Sequence, residues 1–213
     1  FWGYLSIISL LLSTSLSAIL IRNAQNAGME SPAIASLRLI IASLILTPYV
    51  VRHYGATLYN LERRELMMTA IAGFWLGAHF ILFITGLEHA SVMISAVVVS
   101  TSPLWVSIME RIFLRVQLHQ FVWIGIIVAM FGGVMIAVAG HTIETGENPI
   151  LGAFLALCGA ISLGIYLILG RQVQAKLSAL PYIWMVYSFG AVMTLAYVIL
   201  TATPLTGYSS EAY

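Results

Sequence analysis

Charged residues are scarce in this sequence. Asp, Glu, Lys and Arg make up 8% of its 213 residues, whereas the hydrophobic set AVILMFWYC makes up 61%. A soluble domain carries about 25% charged residues, because its surface faces water. This composition therefore excludes an ordinary soluble protein. The net charge of +1 also gives no indication of a nucleic acid or another polyanionic partner.

Patterns typical of catalysis are also missing. The single cysteine, Cys158, lies in an apolar run and cannot form an internal disulfide. The five histidines are scattered, and there is no His-Glu-x-x-His, Gly-x-Ser-x-Gly or phosphate-loop motif. We therefore expect no metal, no cofactor and no catalytic residues. A membrane-embedded enzyme is kept as an alternative, as is a receptor or a structural membrane protein.

What the sequence does contain is a series of long apolar runs. A helix needs about 20 mostly apolar residues to cross a bilayer. We place such spans at 1–22, 32–51, 66–87, 91–111, 119–139, 150–170 and 181–202. Backbone polar groups must be paired inside lipid, so these runs predict an all-α integral membrane protein, a polytopic helical bundle.

Basic residues alternate with the predicted spans. Seven of the nine Lys and Arg residues follow spans two, four and six, namely Arg52, Arg63, Arg64, Arg111, Arg115, Arg171 and Lys176. An excess of basic residues is typical of cytoplasmic loops. We therefore expect a multi-pass protein of the cell membrane, plasma or inner, with a cytoplasmic N-terminus.

The chain also contains a weak internal repeat. Around span one, a Ser-Leu-Ser sequence at 15–17 leads through an apolar stretch to an arginine and then a proline, and residues 162–181 follow the same order. A repeat of five spans is odd, so its second copy would enter the membrane inverted. Inverted repeats of this kind build a substrate site between their halves near the midplane. We expect spans one to five to pack as one compact unit.

Several short segments occur in a characteristic order. They are Ser-Pro-Ala at 31–33 with Ser-Leu-Arg-Leu at 36–39, Gly-Leu-Glu-His-Ala-Ser at 86–91, Ser-Thr-Ser-Pro-Leu at 100–104 and Gly-Gly-Val at 132–134. In order and spacing, these segments resemble an EamA-type repeat of the drug/metabolite transporter superfamily. The sequence departs from the family pattern twice. Ser13-Thr14 replaces the usual Trp-Gly, and Arg115-Val116 replaces the usual Gly-Glu.

The resemblance implies a ten-span architecture of two inverted five-helix repeats, of which about seven spans are expected here and the C-terminal three are missing. Residues 1–140 would be the first repeat, 141–149 an extracytoplasmic linker and 150–213 the first two helices of the second repeat. It further implies a secondary transporter that exports or exchanges a small metabolite, amino acid or drug-like solute by alternating access. The expected partners are this solute and the lipid bilayer, with a second copy in a homodimer as a further candidate.

Six side chains are candidates for lining a solute cavity: His79, Trp75, Arg38, Ser95, Ser102 and Tyr166. Arg38 lies within span two, where arginine costs at least about 2.5 kcal/mol. It is either an anion-binding or gating group, or a side chain that reaches the interface or bonds another helix. His79, near the centre of span three and one turn after Trp75, either lines the cavity or bonds a neighbouring helix.

The other candidates also have two interpretations. Ser95 and Ser102 belong to a serine face of span four that either presents hydroxyls to a solute or permits close helix packing, with Pro103 loosening the backbone. Glu110 is either a proton-coupling carboxylate or a group at the cytoplasmic interface. Tyr166 lies in the inner half of span six. We expect spans one, three, four and six to border a central vestibule that contains the Trp75/His79 face and Tyr166.

Two further patterns concern packing. Small residues recur at close to helical spacing and predict close contacts between helices, at Gly73, Gly77, Gly125, Ala129, Gly133, Gly152, Ala156, Ala160 and Gly164. Aromatic residues near span ends are expected to anchor the protein in the membrane interface, at Trp2, Tyr49, Tyr182 and Trp184.

Overall fold

The computed structural model describes residues 2–117, 119–139 and 147–208, and this part of the chain is helical and without strands. Its helices are α1 (Trp2–Asn26), α2 (Ser31–Tyr59), α3 (Arg63–His89), α4 (Val92–Val99), α5 (Ser102–Phe113), α6 (Gln120–Ala139), α7 (Pro149–Gln174) and α8 (Ala179–Leu200). Each predicted span falls on one of these helices, with the fourth span divided between α4 and α5.

Within the described residues, five helical segments are long and apolar enough to cross a membrane. They are Ser31–Tyr59, Arg63–His89, Val92–Phe113, Pro149–Gln174 and Ala179–Leu200. The prediction of an all-helical, polytopic membrane protein is therefore confirmed. The ten-span inverted repeat and its division at 140 and 150 remain predictions.

The fourth span is interrupted between α4 and α5. Pro103 lies at the start of α5 and has no N–H to donate to the carbonyl of Val99, four residues earlier. The hydroxyl of Ser102 donates to this carbonyl instead, at 2.5 Å. Ser100 and Thr101 likewise donate to carbonyls three residues back, each at 2.6 Å. Side-chain hydroxyls thus pair carbonyls at the break, which lipid could not do.

Hydrogen bonds and ion pairs place the helix ends on two sides of the bundle. Arg22, near the end of α1, donates through Nη1 to the carbonyl of Leu87 in α3, and the Asn148 N–H donates to the His89 carbonyl at 3.1 Å. We call this side the Ser31 end, since α2 begins there. Lys176, after α7, contacts Glu62 at the start of α3, and we call this side the Glu62 end. The α7/α8 pair therefore crosses the bundle in the opposite sense to α1/α2.

The tightest packing is between α3 and the pair α7/α8. A Cβ added at Gly152 in α7 would lie 2.8 Å from the Gly86 carbonyl oxygen in α3 and 2.7 Å from the nitrogen of Ala90, the residue that follows α3. A Cβ at Gly77 in α3 would lie 3.2 Å from the carbonyl oxygen of Gly190 in α8. Only small residues permit backbones to approach this closely. The small-residue prediction is confirmed for these helices.

Two packing expectations were wrong. Spans one to five do not form a separate compact unit, because α2 and α3 pack mainly against α7 and α8 and the first five spans contact one another less. Gly125 and Ala129 of α6 do not mediate a close contact either, since both are exposed. No described atom lies within 4 Å of a Cβ placed at Gly125. The spacing of small residues identifies a helix face that can pack closely, but it does not show whether another helix packs against that face.

We expect Gly152→Ala to destabilise the fold, because the new methyl group would press on the α3 backbone, which cannot move aside as a flexible side chain can. Overpacking of this kind costs about 1–3 kcal/mol. The measurement is the midpoint of thermal unfolding in detergent. Gly125→Ala is the matched control, and its midpoint should be unchanged or slightly higher, since alanine has the better helix propensity by up to ~1 kcal/mol. Equal midpoints for the two variants would contradict the packing described here.

Candidate functional site

His79 lies in the contact between α3 and α7. Its side chain is buried, and Nδ1 is 2.8 Å from the carbonyl oxygen of Gly159 in α7. A carbonyl only accepts, so this bond assigns a proton to Nδ1. The ring also stacks on Phe83, with centroids 5.9 Å apart and an interplanar angle of 4°. The structure thus favours the interpretation of His79 as a group that bonds a neighbouring helix, and Trp75, one turn earlier, is half-buried.

The serine face of span four serves mainly the backbone. Ser102 bonds the Val99 carbonyl at the helix break, and Ser91 accepts from the N–H of Ile94 at 3.2 Å. Ser95 is different. It is fully buried, and its hydroxyl has no hydrogen-bond partner among the described residues. The structure therefore leaves Ser95 as the serine of this face with an unused polar atom.

Arg38 borders a cavity of about 500 Å³ between α1 and α2, towards the Ser31 end. The cavity is lined by Ser13, Leu16, Ser17, Leu20, Ile21, Asn23, Ala24, Met29, Ile34, Leu37, Arg38 and Ile41. The guanidinium carbon of Arg38 lies 4.9 Å from the ring centroid of Phe80 in α3. The side chain is thus directed at the bundle rather than at the membrane interface. We call this space the Arg38 cavity.

A second cavity, of about 300 Å³, lies near the Glu62 end between α5, α7 and α8. It is lined by Val106, Glu110, Tyr166, Leu167, Gly170, Arg171, Gln174 and Tyr182, and we call it the Tyr166 cavity. Tyr166 stacks on Tyr182, with centroids 6.5 Å apart and an interplanar angle of 11°. A Cβ at Gly170 would lie 2.6 Å from the Tyr182 hydroxyl oxygen, so a larger residue there would displace the Tyr182 ring.

Charged groups hold the Glu62 end together. Glu110 is buried and forms an ion pair with Arg171, which joins α5 to α7. The Lys176 ammonium lies 3.3 Å from Glu65 and 3.4 Å from Glu62. The hydrogen bonds that Lys176 donates to Glu65 and Glu62 raise its pKa, so this lysine stays positively charged at physiological pH. These contacts link α5, α3 and the α7–α8 connection.

The residues predicted from the sequence to line one cavity lie in different parts of the structure. Arg38 lines one cavity and Tyr166 the other, whereas His79 lies in the packed layer and lines neither. A single vestibule shared by His79 and Tyr166 is therefore not what the structure shows. Tyr182 also lines the Tyr166 cavity, whereas the sequence predicted that it would anchor in the membrane interface. It is fully buried, and its hydroxyl has no hydrogen-bond partner among the described residues.

No group of three or more His, Cys, Asp or Glu side chains in the described part of the chain could hold a metal ion. Cys158 is half-buried in α7. The polar atoms that the two cavities offer are therefore hydroxyls, amides, two guanidiniums and one carboxylate. Such groups can bind a solute by hydrogen bonds and charge, without covalent chemistry.

Comparison with known proteins identifies a family and several relatives of this chain. The model of the EamA-like transporter family matches residues 1–138. The "Uncharacterized inner membrane transporter YedA" of Escherichia coli (strain K12) is 29% identical over 186 residues, which are 84% of this chain and 58% of that protein. An "Uncharacterized transporter" of Archaeoglobus fulgidus is 26% identical over 144 residues, 68% of this chain and 49% of that protein. The chain thus spans about half the length of these curated relatives, and their names point to a transporter rather than an enzyme.

We expect substitutions of His79 to act through helix packing. His79→Phe keeps an aromatic ring on Phe83 but removes the donor to Gly159, which should lower the free energy of unfolding by about 1 kcal/mol. His79→Ala also leaves a void, and it should cost about 3 kcal/mol or more. Thermal unfolding in detergent measures both. Two variants as stable as the unmodified protein would show that the ring is not part of the packing.

Proposed function

We propose, because the chain belongs to the EamA-like transporter family, that it exports or exchanges a small metabolite, amino acid or drug-like solute across the cell membrane by alternating access. The observation that carries this proposal is the presence of two cavities near opposite ends of the bundle. The two cavities share no lining residue. A transporter of this type opens its site to each side of the membrane in turn.

The dimensions and lining of the Arg38 cavity suit a small solute. Its volume of about 500 Å³ falls within the range of ligand pockets, which is roughly 300–1,000 Å³. Most of its lining is aliphatic, and a few polar groups from α1 and α2 face the same space. Sites of this composition bind a ligand through apolar contact and orient it with few hydrogen bonds.

The ion pairs at the Glu62 end explain how this end would close and open. Arg171 and Lys176 keep 59% and 61% of their side-chain surface exposed. Their partners Glu110 and Glu65 keep only 11% and 14%, so of these pairs Lys176–Glu62 alone is exposed on both sides and contributes little to stability. Opening of this end would have to bring Glu110 and Glu65 into contact with water as their basic partners leave. In the structure the ion pairs hold the Glu62 end together while the larger cavity lies towards the Ser31 end. Breaking them would release α5 and the α7–α8 connection, as a state that is open at the Glu62 end requires.

The orientation follows from the same residues. Arg63, Arg64, Arg171 and Lys176 lie at or near the Glu62 end of the bundle. Because basic loops favour the cytoplasm, we propose that the Glu62 end faces the cytoplasm and that the N-terminus lies on the same side. The Arg38 cavity would then lie towards the extracytoplasmic end of the bundle.

This orientation predicts which positions react with a membrane-impermeant maleimide in intact cells. In a Cys158→Ala background of the full-length protein, Glu147→Cys tests the Ser31 end and Gln117→Cys tests the Glu62 end, and both positions are exposed. We expect the Glu147→Cys variant to react directly and the Gln117→Cys variant only after permeabilisation. The reverse pattern would overturn the orientation.

Alternating access predicts reciprocal changes in the two cavities. Glu110→Gln removes the charge that pairs with Arg171 and should favour opening of the Glu62 end. Labelling of Gln174→Cys, in the Tyr166 cavity, should then become about two- to fivefold faster in membranes, and labelling of Ser17→Cys, in the Arg38 cavity, correspondingly slower. If both rates rise, the substitution has only loosened the protein. If the Ser17→Cys rate does not change, the two cavities are not coupled.

A further inference from the structure

Arg38 has no partner of opposite charge among the residues that the structure describes. It lies seven residues into α2, about 10 Å along the helix axis from Ser31. The ion pairs of the described residues join Arg171 to Glu110 and Lys176 to Glu62 and Glu65, and none involves Arg38. Glu88, at the same end of the bundle, accepts a hydrogen bond from Ser31 instead, at 2.7 Å.

The contact with Phe80 is a cation–π contact, in which the charge lies over the ring. The ring offers no conventional hydrogen-bond acceptor, and arginine has five N–H donors. Arg38 donates no hydrogen bond to any described residue, and the side chain lines the Arg38 cavity. Phe80 therefore supports the guanidinium from the α3 side, while its donors are left for an occupant of the cavity.

The rest of the lining suits an anion with an apolar body. Ser13 and Ser17, four residues apart on α1, and Asn23 add neutral hydrogen-bonding groups, and the described lining residues include no Asp or Glu. The remaining side chains are aliphatic or Met. An arginine at this depth is unfavourable unless it is paired or wet, so a bound anion would offset part of its desolvation. Carboxylate and phosphate groups match the planar fork of arginine with two parallel hydrogen bonds.

We propose that Arg38 is the specificity-determining residue of this cavity and that the transported solute is a small organic anion, held by a carboxylate or another oxyanion group. The guanidinium binds the oxyanion, the α1 hydroxyls orient it, and the aliphatic side chains cover the organic part. This inference rests on the proposed function, since it takes the Arg38 cavity as the solute site.

Three matched probes test the inference with the full-length protein in nanodiscs. Benzoate carries the oxyanion, benzamide is its neutral analogue and benzylammonium carries the opposite charge. In a Cys158→Ala, Ser17→Cys background, benzoate should slow maleimide labelling, whereas the other two probes should not. In the Cys158→Ala protein with Ser17 retained, Arg38→Gln should raise the Kd of benzoate at least about tenfold. Arg38→Lys keeps the charge but loses the two-bond geometry, and its Kd should lie between the two.

Arg52→Gln is the control for net charge, since Arg52 is an exposed residue of the same helix that does not line the cavity. It should leave the Kd of benzoate unchanged. If Arg38→Gln does not fold, the intermediate affinity of Arg38→Lys decides the question. Absence of benzoate binding, equal protection by benzamide, or an unchanged Kd in either Arg38 variant would overturn the anion assignment.

Protection by benzamide together with reciprocal labelling of the cavities would leave the transporter proposal standing. Loss of the reciprocal labelling would count against the transporter proposal itself.

Discussion

The whole arrangement depends on how closely the backbone of α3 approaches those of α7 and α8. Gly152 meets the α3 backbone near Gly86, and Gly77 meets α8 near Gly190, at distances that exclude larger side chains. In a membrane, lipid is as apolar as the helices, so this fit must itself hold them together. The polar contact of His79 with Gly159 lies in the same layer. The two cavities share no lining residue, and no described α3 residue lines either of them.

The membrane class, the positions of the helices and the family follow directly from the sequence. Long apolar runs can only be helices in lipid, and the spacing of Gly and Ala identifies the faces that pack closely. The partner of each face could not be predicted in this way. Tyr182 shows the limit most clearly. Its position near the end of α8 is typical of an interfacial anchor, but the facing glycine, Gly170, admits the ring to a buried site.

The candidate site was predicted less completely than the fold, for a related reason. The sequence identified Arg38 and Tyr166 as cavity candidates, because a charged or polar side chain within an apolar span needs an explanation. It could not place the two residues in different cavities, since this depends on which helices enclose each space. The pairing of Glu110 with Arg171 joins residues that are 61 positions apart, and no local pattern indicates it. The two ends of the bundle therefore differ in their charged groups. Ion pairs link the helices at the Glu62 end, whereas Arg38, towards the Ser31 end, forms no ion pair with a described carboxylate.

The break between α4 and α5 has a mechanical consequence. In an uninterrupted helix, the main-chain hydrogen bonds make each turn rigid with respect to the next. At this break, the hydroxyls of Ser100, Thr101 and Ser102 donate to the carbonyls at 97–99. Each hydroxyl can rotate about the Cα–Cβ bond of its own side chain. A hydroxyl can follow its carbonyl through a change of direction, so bending here requires less loss of pairing than bending elsewhere in the span. The fourth span thus contains a point at which it can bend. The α5 helix, which carries Glu110, can tilt relative to α4 while these carbonyls keep their hydrogen bonds.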